Sequence, residues 1–297
     1  MKPIDLHGIF PPIPTPFSEG RLACDRLAEN IARWNTTGLA GYVTFGSNGE
    51  SVFLSDEEKL EVVKTVVASA APGMKVIAGT GCESTAQTVT LTNRCAQLGA
   101  HAALVVTPFY YGGRMNEAAM LRHFTTVADQ AEIPILIYNV TKFTHVSLGV
   151  ELVARLSRHP NIIGIKDSNG NVSTLGEMVS RVAEEFSVLV GTAGALFGAL
   201  TLGCVGGIVA LANVAPRACV RICSLLKKGE IEAASKLQLK MLPVNTALTA
   251  TYGVPGLKAA LEMLGYYGGD PRLPLLPASE KEKSEIKTIL KDAGLLS

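Results

Sequence analysis

What this chain lacks first is an excess of charge of either sign: Lys and Arg total 27 against 26 Asp and Glu in 297 residues. It therefore has no basic field to follow a nucleic-acid backbone or an anionic membrane surface. Charge of any kind is sparse, at 18% of residues, while hydrophobic residues make up 47%. That balance supplies a sizeable core and excludes a disordered chain. The apolar run from Gly203 to Ala215 is too short and too rich in glycine to span a bilayer, and reads as a buried strand and turn. The opening residues, Met1 to His7, contain no apolar stretch of signal-peptide type and lead straight into prolines. A cytoplasmic protein is expected. The six cysteines (Cys24, Cys82, Cys95, Cys204, Cys219 and Cys223) form no C-x-x-C, and the five histidines (His7, His101, His123, His145 and His159) form no H-E-x-x-H. Cys219 and Cys223, one helical turn apart, read as small buried packers, and no metal is implied.

What the chain does have is alternation. Short apolar stretches at Ile9–Pro14, Gly41–Phe45, Val76–Ala78, Ala102–Val106, Ile135–Tyr138, Ile162–Lys166, Val188–Val190 and Gly207–Ala210 are each followed by a helical pattern. Strand and helix repeated in this way predict a (β/α)8 TIM barrel, with the fold class α/β. Ser55-Asp56-Glu57-Glu58 has the form of a capping box, and Ser84 and Asn171 mark further helix starts. The first strand is the least regular, because Pro11, Pro12, Pro14 and Pro16 carry no N–H for a ladder. Beyond Val214 only helical pattern remains, over Ala215–Leu226, Glu230–Thr249, Gly256–Leu264 and Ser279–Asp292. The expected organisation is a barrel domain over residues 1–226 and a C-terminal helical extension over 227–297 packed on it.

In such a barrel the residues at the strand C-termini converge on one mouth. Lys166 ends the apolar run Ile162-Ile163-Gly164-Ile165. Desolvation there favours a neutral, nucleophilic amine able to condense with a carbonyl. The alternative is an ordinary lysine, the first solvated residue past the strand. Gly46-Ser47-Asn48-Gly49-Glu50 offers backbone N–H groups and a hydroxyl to a small carboxylate, or is a tight turn into a helix. Phe109-Tyr110-Tyr111 in a glycine-flanked loop is either a packing lid or a polar wall of a site. Tyr138 is either a core residue or, facing a lysine on the next strand, a proton shuttle. Gly191-Thr192-Ala193-Gly194 permits close approach of a ligand, but no cation in that turn suggests phosphate.

Taken together, these motifs give the chain a family likeness. It resembles the dihydrodipicolinate synthase/N-acetylneuraminate lyase family of Schiff-base-forming pyruvate aldolases. The likeness runs from Gly8-Ile9-Phe10 and Pro14-Thr15-Pro16-Phe17, through Gly46–Glu50, Tyr138-Asn139-Val140 and Gly164-Ile165-Lys166-Asp167-Ser168, to Gly256-Leu257-Lys258. Gly81-Cys82-Glu83-Ser84-Thr85, Gly113-Arg114-Met115 and Gly265-Tyr266-Tyr267-Gly268-Gly269 look most like the 4-hydroxy-2-oxoglutarate aldolase branch. The resemblance implies that Lys166 forms an imine with the ketone carbon of pyruvate, with no other cofactor. Tyr138 is implied as the acid/base, and Ser47, where the family usually has threonine, as its relay partner. Tyr110 matches a tyrosine that a tight dimer inserts into a neighbouring subunit's site, so a homo-oligomer is implied. Ser47 and Asn48 would seat the pyruvate carboxylate, and Ser168 and Gly191 would line the pocket.

Two departures bear on the substrate. Thr141 replaces a proline common after Tyr-Asn-Val, and Phe143 stands where the synthases usually carry an arginine that grips the second substrate. Lys142 or Arg114 is left to hold a distal carboxylate, and a lysine does not reproduce a bidentate fork. The expected activity is cleavage of a 2-oxo-4-hydroxy acid, with 4-hydroxy-2-oxoglutarate first. The alternatives are condensation of pyruvate with aspartate semialdehyde, or processing of a 2-oxo-3-deoxy sugar acid.

Overall fold

The structure, a computed structural model, describes residues 4–297. Met1, Lys2 and Pro3, part of the opening stretch considered above, lie outside the described residues. Eight parallel strands form one sheet: β1 (Gly8–Phe10), β2 (Gly41–Thr44), β3 (Lys75–Gly79), β4 (Ala102–Val106), β5 (Ile135–Asn139), β6 (Ile162–Asp167), β7 (Ser187–Val190) and β8 (Gly206–Ile208). Pairing runs in sequence from β2 to β8, and β8 pairs with β1. Between β1 and β2 the ring is closed by three backbone bonds: Ala40 N–H to Ile9 O at 3.0 Å, Val43 N–H to Pro11 O at 3.0 Å, and Ile13 N–H to Val43 O at 2.9 Å. The prolines explain this seam. Pro11 has no N–H but keeps its acceptor, so the regular strand stops at Phe10 rather than running to Pro14.

Helices α1 (Cys24–Trp34), α2 (Asp56–Ser69), α3 (Thr85–Gln97), α4 (Glu117–Gln130), α5 (Val150–Leu156), α6 (Val172–Arg181), α7 (Leu196–Thr201) and α8 (Pro216–Lys227) follow their strands in turn. The fold is a (β/α)8 TIM barrel with a helical C-terminus. Period-two alternation divides the apolar side chains into two layers. Val43, Ile77, Leu104, Leu136, Tyr138, Leu189 and Ile208 fill the barrel, while Ile135, Ile137, Ile165, Val188 and Val190 meet the helices. Each fully buried aliphatic side chain contributes about 1.5–3 kcal/mol of transfer free energy. Helix α2 starts as its sequence predicts: the Ser55 hydroxyl accepts from Glu58 N–H at 3.2 Å, and the Glu58 carboxylate accepts from Ser55 N–H at 2.9 Å.

Three helices follow the barrel: α9 (Ile231–Thr246), α10 (Gly253–Met263) and α11 (Glu280–Asp292). Two details differ from the sequence pattern. Instead of one helix reaching Thr249, α9 gives way to a π turn over Ala247–Thr251, with Pro243 inside its last turn. Helix α10 begins at Gly253, not Gly256, because Pro255 lies within the first turn, where a missing N–H breaks no helical bond.

Candidate active site

Strand register places Tyr138 directly beside Lys166, so both side chains point the same way from neighbouring strands. Lys166 lies inside β6 and is only 3% exposed. The reading of Lys166 as a solvated residue beyond its strand is therefore wrong. Its Nζ is 4.1 Å from the centre of the Tyr138 ring, within cation–π range. Among the described residues no carboxylate forms an ion pair with Lys166. The Tyr138 hydroxyl is 3.3 Å from Ser47 Oγ, which comes from the turn after β2 across the mouth. Burial pushes the Tyr138 phenol up, but the Lys166 ammonium and the Ser47 hydroxyl outweigh it and hold the phenol below the usual tyrosine range.

The Ser47 turn is a single 3₁₀ turn, Ser47–Gly49, bracketed by two non-glycine residues in the left-handed region, Phe45 at φ 56° and Glu50 at φ 55°. Such backbone is strained and persists only where its surroundings hold it. Here Thr15 Oγ1 donates to Gly49 O at 2.8 Å, and Gly49 N–H donates to Gly46 O at 2.8 Å. The side chain of Glu50 turns inward, where its Oε1 is 2.6 Å from Lys258 Nζ and its Oε2 accepts Arg272 N–H at 2.7 Å. Arg272 belongs to none of the sequence motifs, and Lys258 enters them only as the end of Gly256-Leu257-Lys258, with no role assigned. A lysine on a helix with a mixed face carries no mark of burial until the fold places it.

A cavity of about 780 Å³ opens over this group, and its lining includes Ser47, Glu83, Phe109, Tyr138, Lys142 and Phe143. Its far side is made by the π turn and the start of α10, Thr249 to Pro255. Ser168 directly follows β6 and Gly191 directly follows β7; contrary to the expectation that they line the pocket, neither is part of the cavity wall, and nor is Lys166. Any Cβ at residue 191 would fall 1.9 Å from Ser168 Oγ, so only glycine fits while that hydroxyl keeps its place. The Ser168 hydroxyl is buried with no hydrogen-bond partner. Asn48 is half-buried on the Ser47 turn but is not part of the cavity wall.

The two candidates for a distal carboxylate separate clearly. Arg114 is exposed and away from the cavity, whereas Lys142 reaches it and donates from Nζ to Thr249 O at 2.9 Å. Phe143, 54% exposed, presents an apolar face beside it. Tyr110 and Tyr111 point out to solvent, 75% and 70% exposed and packed edge to face at 5.0 Å. Their loop is fixed from below by the Glu83 carboxylate, which accepts Phe109 N–H at 3.0 Å and Tyr110 N–H at 2.8 Å. Among the described residues no cluster of histidine, cysteine, aspartate and glutamate has the form of a metal site, and no helix is long and apolar enough to cross a membrane.

Residues 5–293 match the dihydrodipicolinate synthetase family. The 4-hydroxy-tetrahydrodipicolinate synthase of Methanothrix thermoacetophila is 38% identical over 286 residues, 96% of each chain. The dihydrodipicolinate synthase of Thermotoga maritima superposes with a TM-score of 0.93 at 30% identity, covering 98% of this chain and 99% of that one. A chloride-inhibited dihydrodipicolinate synthase from Acinetobacter baumannii, solved in complex with pyruvate, superposes at 0.92 with 30% identity and the same coverage. The chain belongs to the dihydrodipicolinate synthetase family and is an enzyme, a Schiff-base-forming carbon–carbon lyase.

Proposed function

We propose that Lys166, buried against the Tyr138 ring that lines the cavity, condenses with the ketone carbon of pyruvate, and that Tyr138 and Ser47 carry the protons. The observation behind this is the juxtaposition of a buried amine with no carboxylate partner, a phenol against it and a hydroxyl 3.3 Å from that phenol. The amine adds to C2, the carbinolamine loses water, and the resulting cationic imine acts as an electron sink. Loss of a proton from the methyl carbon gives an enamine, which adds to an aldehyde; the same steps reversed cleave a C3–C4 bond. Tyr138 gives and takes the protons at the carbinolamine and aldol oxygens, with its lowered pKa suiting both directions. This chemistry needs no group beyond the imine itself. The pyruvate carboxylate rests on the turn of Ser47 and Asn48, with Ser168 and Gly191 framing the lysine strand. A second copy of the chain would receive Tyr110; full turnover by a dilute monomer would remove that element of the proposal.

For the second substrate, the comparisons support the synthase alternative better than the 4-hydroxy-2-oxoglutarate cleavage that the sequence motifs favoured. The relatives reported above are named synthases, and the first reading is therefore condensation with aspartate semialdehyde. One observation favours the aldolase as a second reading: Phe143 presents no guanidinium to the cavity, and Lys142 supplies a single ammonium in its stead. The test is borohydride reduction with pyruvate, followed by peptide mass analysis and turnover with each substrate. An adduct on Lys166 with aspartate-semialdehyde turnover supports the first reading. Release of glyoxylate from 4-hydroxy-2-oxoglutarate, without synthase turnover, would replace it with the second. A folded protein that yields no adduct removes the Schiff-base role of Lys166.

A further inference from the structure

Glu50 and Lys258 form an ion pair at 2.6 Å whose side chains are 0% and 1% exposed. Each partner is tied again on its own side. Glu50 accepts the Arg272 backbone N–H at 2.7 Å, while Lys258 donates to Asp270 O at 3.0 Å and lies 4.5 Å from the centre of the Phe17 ring. Replacing a buried pair of this kind by apolar side chains is often neutral or stabilising, so stability alone is a weak reason for its presence. Its position supplies a better one. Glu50 is the left-handed residue that ends the Ser47 turn, and Lys258 lies on α10, whose first residues form the opposite wall of the cavity. One contact thus ties the two sides of the site together.

We propose that the Glu50–Lys258 pair is a positioning device that holds the Ser47–Gly49 turn at the distance from Tyr138 that pyruvate capture requires. Glu50 belongs to the cavity wall, but its carboxylate is enclosed and committed to Lys258 and the Arg272 N–H, so neither residue touches the reacting atoms. Glu50 acts through the backbone of the turn it terminates, and Lys258 acts through Glu50. Without the pair, the left-handed conformation at Glu50 loses its anchor, the turn samples other geometries, and Ser47 leaves the Tyr138 hydroxyl for part of the time. The proposal also makes the C-terminal helices part of the site, because α10 carries both the cavity wall and the anchor. It rests on the reading of Ser47 and Tyr138 given above.

The decisive variant is the neutral double substitution Glu50→Gln with Lys258→Met. It removes both charges, leaves a side-chain oxygen for the Arg272 N–H, and keeps an apolar stem over Phe17. Two quantities are compared with the wild type after thermal melting shows the variant folded: exchange of the Gly49 and Glu50 amide hydrogens, and the pyruvate concentration that half-saturates borohydride trapping. The expected result is amide exchange faster by about tenfold and half-saturation raised roughly tenfold, with the adduct at saturating pyruvate unchanged. A purely structural pair would move the melting temperature alone. Wild-type exchange and wild-type half-saturation in the folded double variant overturn the proposal. If the wild type itself forms no adduct, the reading of the site falls, and amide exchange still decides whether the pair holds the turn. Should the double variant not fold, Glu50→Gln alone, which keeps an acceptor for Lys258, is measured in the same way.

Discussion

Among the described residues two lysines are buried, and their surroundings are opposites. Lys258, on α10, is 1% exposed and saturated by a carboxylate, a carbonyl and an aromatic face. Lys166, on β6, is 3% exposed and has the Tyr138 ring beside it but no carboxylate partner. A buried ammonium is costly unless it is paired, and the fold meets that cost fully for one lysine and only partly for the other. Burial still pushes the Lys258 ammonium below the usual lysine range, against the opposing pull of Glu50. The contrast teaches that burial by itself does not mark a reactive lysine. What sets Lys166 apart is burial without a counter-ion beside a phenol, and the barrel keeps that imperfection at its mouth while the C-terminal helices complete their own pair.

Exchanging each lysine for methionine breaks the comparison at its widest point. Lys166→Met should abolish pyruvate trapping and lower turnover by roughly 10⁴-fold or more, because it removes the nucleophile proposed above. Its stability should hold or rise by about 1 kcal/mol, since an unpaired buried charge is replaced by an apolar chain of similar length. Lys258→Met should do the reverse to stability, losing about 3–5 kcal/mol by leaving the Glu50 carboxylate buried without its partner. Urea denaturation midpoints of the two variants measure this directly. Equal losses in both would show that the two environments do not differ as described.

The sequence reveals the two lysines unequally, for a physical reason. Lys166 is legible because its setting is local: an apolar run ends in a cation, and the alternation of strand and helix says where such ends converge. Tyr138 is legible for the same reason, being the end of the preceding strand. The capping box at Ser55 depends on four consecutive residues and holds in detail. Lys258 is different. Its partner Glu50 belongs to the second βα turn, and Arg272, which shares that carboxylate, is 222 positions from it. No periodicity links residues so far apart; only the closed barrel brings them together. Where local chemistry competes with pattern, boundaries shift, as at β1, cut short by Pro11, and at α10, which accommodates Pro255 in its first turn. The geometry around Phe143 and Lys142, which the proposal gives to the second substrate, is least legible, because it arises only where they face the π turn at Thr249.

The influence of Lys166 on Tyr138, which Lys258 does not share, sharpens the comparison further. Burial is the largest influence on the phenol and acts upward; the Lys166 ammonium and the Ser47 hydroxyl reverse it. An ultraviolet difference titration against Tyr138→Phe should therefore show ionisation below the usual tyrosine range in the wild type. In Lys166→Met the downward pull of the charge is gone, burial prevails, and the phenol should titrate above that range. A wild-type value in Lys166→Met would mean that the ammonium, though 4.1 Å from the ring, does not control the phenol.

A smaller effect comes from a second ion pair on the Lys258 side, at the edge of the fold. The Arg272 guanidinium grips Glu58 through two bonds of 2.7 Å, with the two side chains 20% and 28% exposed. Partial access of water reduces the desolvation cost and the coulombic gain together, so removing one partner of this pair should cost far less than removing one partner of the enclosed pair. Glu58→Gln keeps the capping box, because glutamine also reaches back to the Ser55 N–H, and should lose only about 1 kcal/mol at neutral pH. The Arg272 bonds hold the Glu58 carboxyl below the usual carboxylate range. A carboxylate with a lowered folded pKa contributes stability that is fully present above its unfolded value and disappears as pH falls through the folded value. Urea midpoints measured from neutral pH downward should therefore show the wild type and Glu58→Gln converging below the ordinary carboxylate range. If the gap persists there, or matches the loss in Lys258→Met, then exposure is not what separates the two pairs.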